Sequence, residues 1–139
     1  KMATVFKVRE DMTKSKMTPE DVQSKLFYFS DAAHKLHLDT KSYAEHKALG
    51  KLYEGLIGFR DEISEKLMGY MNGKRIGGFS VGKLPEYSAG ESMKLADEVV
   101  DFAKDLCDYA AANKFIDLEN VGQSLSGLGA QTKYLLTLK

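Results

Sequence analysis

Apolar residues recur at steps of three and four along most of this chain, the spacing that turns one face of an α-helix toward a core. Four stretches carry the pattern. The first has the stripe Val22, Leu26, Phe29, Ala33 and Leu36. Its start signal is Thr18 as N-cap, Pro19 at the first helical position, then Glu20 and Asp21 beside the positive end of the dipole. The pattern stops at LDTKS. Ser42-Tyr43-Ala44-Glu45 reads as a capping box, and Leu49, Leu52, Leu56, Phe59, Ile63, Leu67 and Tyr70 carry a second helix to the stop at Asn72-Gly73. Ser88-Ala89-Gly90-Glu91 is a further capping-box pattern. It introduces the stripe Leu95, Val99, Phe102, Leu106 and Tyr109, which ends near Asn113. Asp117 is the expected cap of a fourth helix with Val121, Leu125, Leu128 and Leu135 on its buried side.

The segments between these stripes set the topology. Residues 73–87 hold four glycines and one proline and are expected as a loop, with a short turn of helix around Ile76 to Val81. Links at 38–42 and 113–117 are short enough for two antiparallel hairpins, whereas the long connection can cross a bundle. An up-down-down-up bundle is the first expectation and a plain up-down-up-down bundle the second. Gly122, Gly127 and Gly129 fall inside the last helix, where each costs about 1 kcal/mol relative to alanine. Close packing against a neighbour would offset that cost; a kink or a broken helix is the alternative.

Composition narrows the function. With 43% hydrophobic and 29% charged residues in 139, the expectation is one soluble domain over residues 18–139, preceded by a weakly basic, flexible arm over 1–17. No apolar run reaches the length of a membrane span, and no signal-peptide layout is present. Cys107 is alone, which fits a reducing compartment and a cytoplasmic protein. Lys plus Arg and Asp plus Glu both total 20, and a net charge of zero argues against a dedicated nucleic-acid binder.

All 3 histidines lie within HKLHLDTKSYAEH, from His34 to His46. Folding the chain at Thr40 brings His34 and His46 level, and His37 points the same way as His34. Each sits beside its helix's main stripe, where a surface or subunit-interface position is the plain reading. Asp61 and Glu65 share a face of the second helix, and Asp61 lies at nearly the same angle as His46 but ~22 Å along the axis at 1.5 Å per residue. No single metal bridges that span within one chain. Two copies of the second helix packed antiparallel across a two-fold axis would close it, bringing His46 of one copy to Asp61 and Glu65 of the other. Imidazole and carboxylate donors without thiolates suit iron, manganese or zinc.

The spacing His34-x11-His46-x14-Asp61-x3-Glu65 resembles the ferroxidase signature of the Dps proteins, the miniferritins that store iron and protect DNA. The run HLDTKSYAEHKALGKLYEGL is also similar to small Dps-like proteins of phages and their hosts. The resemblance covers roughly residues 18–139. It implies an all-α, ferritin-like four-helix bundle and metal sites shared across a two-fold dimer. His34, His46, Asp61 and Glu65 would be the ligands and catalytic residues, with His37 as a substitute ligand or hydrogen-bonding neighbour. It further implies Fe(II) oxidation by peroxide or oxygen in a mono- or di-iron site, a dodecameric shell, and a location in the cytoplasm of a host or in a virion. Two positions depart from the family pattern. Gly50 stands where Dps proteins usually carry another carboxylate one turn after the second histidine, and Lys35 where a Trp commonly follows the first. The lysine-rich tail that many members use on DNA is reduced to the weak arm. A scaffold or virion-associated protein with a degenerate site is the alternative.

Overall fold

A computed structural model describes residues 17–138. Of the expected N-terminal arm, residues 1–16 lie outside the described residues. The described chain is all-helical: α1 (Pro19–Asp39), α2 (Tyr43–Tyr70), α3 (Glu91–Asn113) and α4 (Ile116–Leu135). No turn of helix forms around Ile76 to Val81, so that expectation fails; the segment instead runs without regular structure against α1.

The α1 cap is the expected one. Thr18 accepts from the Asp21 N–H, and the Asp21 carboxylate accepts from the Thr18 N–H. The start of α2 is half as expected. Ser42 accepts from the Glu45 N–H, but the Glu45 carboxylate does not return the bond and is engaged elsewhere. At α3 the cap is Gly90 at φ 88° rather than Ser88, because the chain enters this helix through a left-handed residue. Phe115, not Asp117, precedes α4; Asp117 lies in the first turn, its N–H donating to the Tyr70 hydroxyl at 2.8 Å and its carboxylate paired with Lys66.

The stripes converge as their spacing requires. Val22, Leu26, Phe29, Leu36, Leu49, Leu52, Leu56, Leu95, Val99, Leu106 and Leu125 all lie in one buried core. Burial of each such side chain contributes about 1.5–3 kcal/mol. Helices α1 and α2 pack together, as do α3 and α4, α2 and α4, and α1 and α3. Contacts fix the directions. Gln23 bonds Ser64 and Tyr53 stacks on His34, so α1 and α2 are antiparallel. Lys66 meets Asp117 near the end of α2 while a Cβ on Gly55 would touch Leu128, so α2 and α4 are antiparallel too. Lys133 pairs with Asp97 and Cys107 bonds Glu119, which makes α3 and α4 antiparallel. The order is therefore up, down, down, up.

Residues 71–90 make the crossing this order needs. The Gly77 N–H donates to Glu20, Ser24 donates to the Ser80 carbonyl, and Phe79 packs on Phe27 with centroids 5.4 Å apart. The segment then runs on to the opposite end of the bundle, where Tyr87 reaches Glu45. There Glu45 accepts from Thr40 at 2.5 Å, Tyr87 at 2.6 Å and Ser92 at 2.6 Å. One carboxylate thus ties the α1–α2 turn, the crossing segment and the first turn of α3.

Gly122 and Gly129 let α4 approach α3 closely, and the helix runs unbroken through them. A Cβ on Gly122 would lie 2.7 Å from Cys107 Sγ, and one on Gly129 would lie 2.7 Å from Val100 Cγ2. Gly127 meets nothing within 4 Å and has no packing role among the described residues.

Candidate metal centre at the α1–α2 turn

The last four carbonyls of an α-helix have no donor within the helix. The His37 carbonyl is one of these in α1, and the His46 side chain supplies its partner, Nδ1–H donating at 2.9 Å. The arrangement is returned: His37 Nδ1–H donates to the His46 carbonyl at 2.8 Å. The two rings lie against each other, centroids 3.7 Å apart at 19°. A carbonyl oxygen carries no proton, so the hydrogen in both bonds belongs to Nδ1. In the neutral ring this fixes the tautomer and leaves the Nε2 lone pair free, the state a metal ligand requires.

Gly50 makes this approach feasible. A Cβ there would sit 3.3 Å from His37 Cε1 and 3.4 Å from its Nδ1, so a side chain would press on the ring that reaches His46. The position where the resemblance implies a carboxylate is thus filled from across the hairpin by His37.

The pairing of His34 with His46 expected from the sequence is not what the hairpin makes. His34 stacks on Tyr53 instead, 4.2 Å apart at 10°, and its ring lies 6.0 Å from that of His37. Chain pairs such as Gln23 with Ser64 and His34 with Tyr53 show that the hairpin pivots three to four residues beyond Thr40, which moves every cross-helix partner. Tyr53 also meets His37 edge-on at 5.1 Å, and Tyr43 flanks His46 at 6.3 Å. All three histidines therefore belong to one aromatic array on the outer side of α1 and α2. His34 is exposed; His37 and His46 are half-buried.

Asp61 and Glu65 are exposed on α2, away from the turn, and enter no ion pair among the described residues. Glu62 beside them is held by Lys66. Among the described residues no group of three or more His, Cys, Asp or Glu converges within one chain. Asp61 lies fifteen residues along α2 from His46 and eight from Tyr53, on which His34 stacks, so the carboxylates stay apart from the histidines.

Sequence reasoning misses two participants. Tyr53 follows His46 by seven residues, two helical turns, which puts it on the same face and is the signal that could have found it. Glu45 reads in the sequence only as part of a cap. Burial raises its pKa, but hydrogen bonds from Ser92, Thr40 and Tyr87 together outweigh that and leave it below the ordinary carboxylate value.

The chain belongs to the family of unknown function DUF5856, whose model matches residues 37–136. The matched stretch takes in His37, His46, Asp61 and Glu65 and begins after His34. The chain is also 29% identical over 107 residues to an uncharacterized 14.6 kDa protein of the mobD–ri intergenic region of Enterobacteria phage T4, covering 76% of this chain and 77% of that protein. No solved structure matches it.

Proposed function

We propose that this DUF5856 protein is a ferritin-like, Dps-type protein that binds Fe(II) between two copies of the chain and oxidises it for storage. The observation that carries the reading is the reciprocal His37–His46 arrangement. Two half-buried imidazoles are held in the tautomer that leaves Nε2 available, on an outer face where no set of three or more ligands converges among the described residues. The crossing connection of residues 71–90 and the up-down-down-up order support the ferritin-like part.

Fe(II) is the substrate in this reading, losing an electron to peroxide or oxygen. His46, His37 and His34 would offer neutral nitrogen donors from one copy. Asp61 and Glu65 of the other copy would supply the negative charge that favours the ferric product. Manganese or zinc fits the same donors. Repetition of the two-fold contact with others would give the dodecameric shell, in the cytoplasm of a host or in a virion. DNA binding has little support from a net charge of zero.

A scaffold or virion-associated role is the second reading, favoured by Gly50, which leaves no carboxylate one turn after His46, and by the phage T4 relative. Metal analysis with native mass separates the two: a metal-loaded assembly supports the first, a metal-free one the second. The direct test is the double variant His46→Ala/Asp61→Ala. Fe(II) oxidation followed by ferric absorbance should be abolished while far-UV circular dichroism keeps its helical signal. Unchanged oxidation kinetics would remove the mechanism.

A further inference from the structure

Every exposed residue of α4 is uncharged, from Ile116 through Asn120, Gln123, Gly127 and Gln131 to Tyr134. The other helices differ: exposed positions on α3 include Lys94, Asp97, Asp101 and Lys104, and those on α2 include Lys47, Glu54 and Asp61. The ends of the α4 strip are also its most apolar points. Ile116 is 78% exposed, the highest value among the large hydrophobic side chains of the described residues, Tyr134 is 62% exposed, and Leu138 just after the helix is 48% exposed. A free helix face normally carries charge, whereas a face that packs on a partner loses it.

We infer that this face pairs with the same face of a second copy, antiparallel, about a two-fold axis at Gly127. The register comes from the sequence positions themselves. Gly127 lies midway between Ile116 and Leu138, midway between Asn120 and Tyr134, and midway between Gln123 and Gln131. An isologous contact at that point sets Gln123 against the partner's Gln131, two side chains that can both donate and accept. It sets Asn120 against the partner's Tyr134 and Ile116 against the partner's Leu138. Gly127, whose added Cβ would meet nothing within 4 Å among the described residues, is then the residue at the axis, where the absence of a side chain lets two helices approach closely.

Charge complements the same orientation. Asp117 and Lys133 are already paired with Lys66 and Asp97, but Glu119 in the first turn of α4 enters no ion pair among the described residues, and antiparallel pairing opposes unlike dipoles. Leu138 also borders an apolar groove of about 280 Å³ lined by Ala44, Ala48 and Leu135 and rimmed by Lys47 and Lys51. Neither lysine has a carboxylate partner among the described residues. The partner's Ile116, followed by its acidic turn, matches that groove in both polarity and sign. The pairing uses a different side of the bundle from the histidine face and stands whether or not the metal reading does.

Single-cysteine variants in a Cys107→Ser background test it. Gly127→Cys places two thiols across the axis and should give a disulfide-linked dimer on mild oxidation with oxidised glutathione. Asn120→Cys lies on the same strip, but its two copies would be ~21 Å apart at 1.5 Å per residue, and it should stay unlinked. Gly127→Arg, at a position where an added Cβ meets nothing within 4 Å among the described residues, should lower the native mass and keep the helical signal. Equal linking at 120 and 127, no linking at 127, or a native mass unchanged by Gly127→Arg would each overturn the pairing; a different protein as the natural occupant would give the last two.

Discussion

The two helical hairpins share a plan and are held by different physics. Between α1 and α2 the contact is directional at the turn end: paired Nδ1–H bonds to carbonyls, stacked rings, and a carboxylate caged by three hydroxyls. Between α3 and α4 it is steric, with Gly122 seated on Cys107 and Gly129 on Val99 and Val100. A hairpin held by close packing responds to volume and hardly to pH. A hairpin held by hydrogen bonds to ionisable groups responds to chemistry at nearly constant volume. The polar hairpin is also the one whose unused donors point toward a function, because its bonds orient the histidines as well as hold them.

The largest effect expected from breaking this contrast is on the steric side. Gly129→Val forces branched carbons onto two β-branched neighbours that are stiff at χ1 within a helix, a cost of about 3 kcal/mol. Thermal unfolding should show the midpoint lowered by roughly 10 °C for a domain of this size. The loss should be the same at pH 5 and pH 7, since no charge changes.

A smaller and pH-dependent effect is expected at the polar hairpin. Glu45→Gln keeps the shape but removes the charge that accepts from Ser92, Thr40 and Tyr87, at a cost of about 2 kcal/mol near neutral pH. Folding depresses the pKa of this carboxyl, so its contribution is present above the unfolded value and lost as pH falls through the folded one. Urea unfolding with chelator present should therefore show wild type and variant converging as pH drops below the ordinary carboxylate range. A gap that stays constant with pH would mean that the charge of Glu45 contributes nothing.

Helix number and buried faces were legible because they rest on periodicity, which burial enforces residue by residue. Every position of the stripes in α1 and α3 is buried. Caps were less legible. Ser88 and Asp117 carry the right side chains, yet a left-handed Gly90 and the aromatic packing of Phe115 on Tyr70 decide where those helices begin. The histidine cluster was legible as a cluster but not in its pairing. Register across a turn depends on where the two helices pivot, and a sequence midpoint at Thr40 misplaces that pivot. The role of His37 was hidden for a related reason: it depends on the room left by Gly50 on the other helix, which no spacing on α1 encodes.

The claim that a site is completed between two copies has one direct measurement. His46→Ala and Asp61→Ala are prepared separately, then mixed in equal amounts, unfolded and refolded together. Each variant alone should fail to oxidise Fe(II). In the mixture, half the dimers contain both chains, and one of their two sites draws an intact His46 from one chain and an intact Asp61 from the other. A site shared in this way predicts recovery of about a quarter of the wild-type rate. A mixture as inactive as its components, or single variants that retain activity, would contradict it.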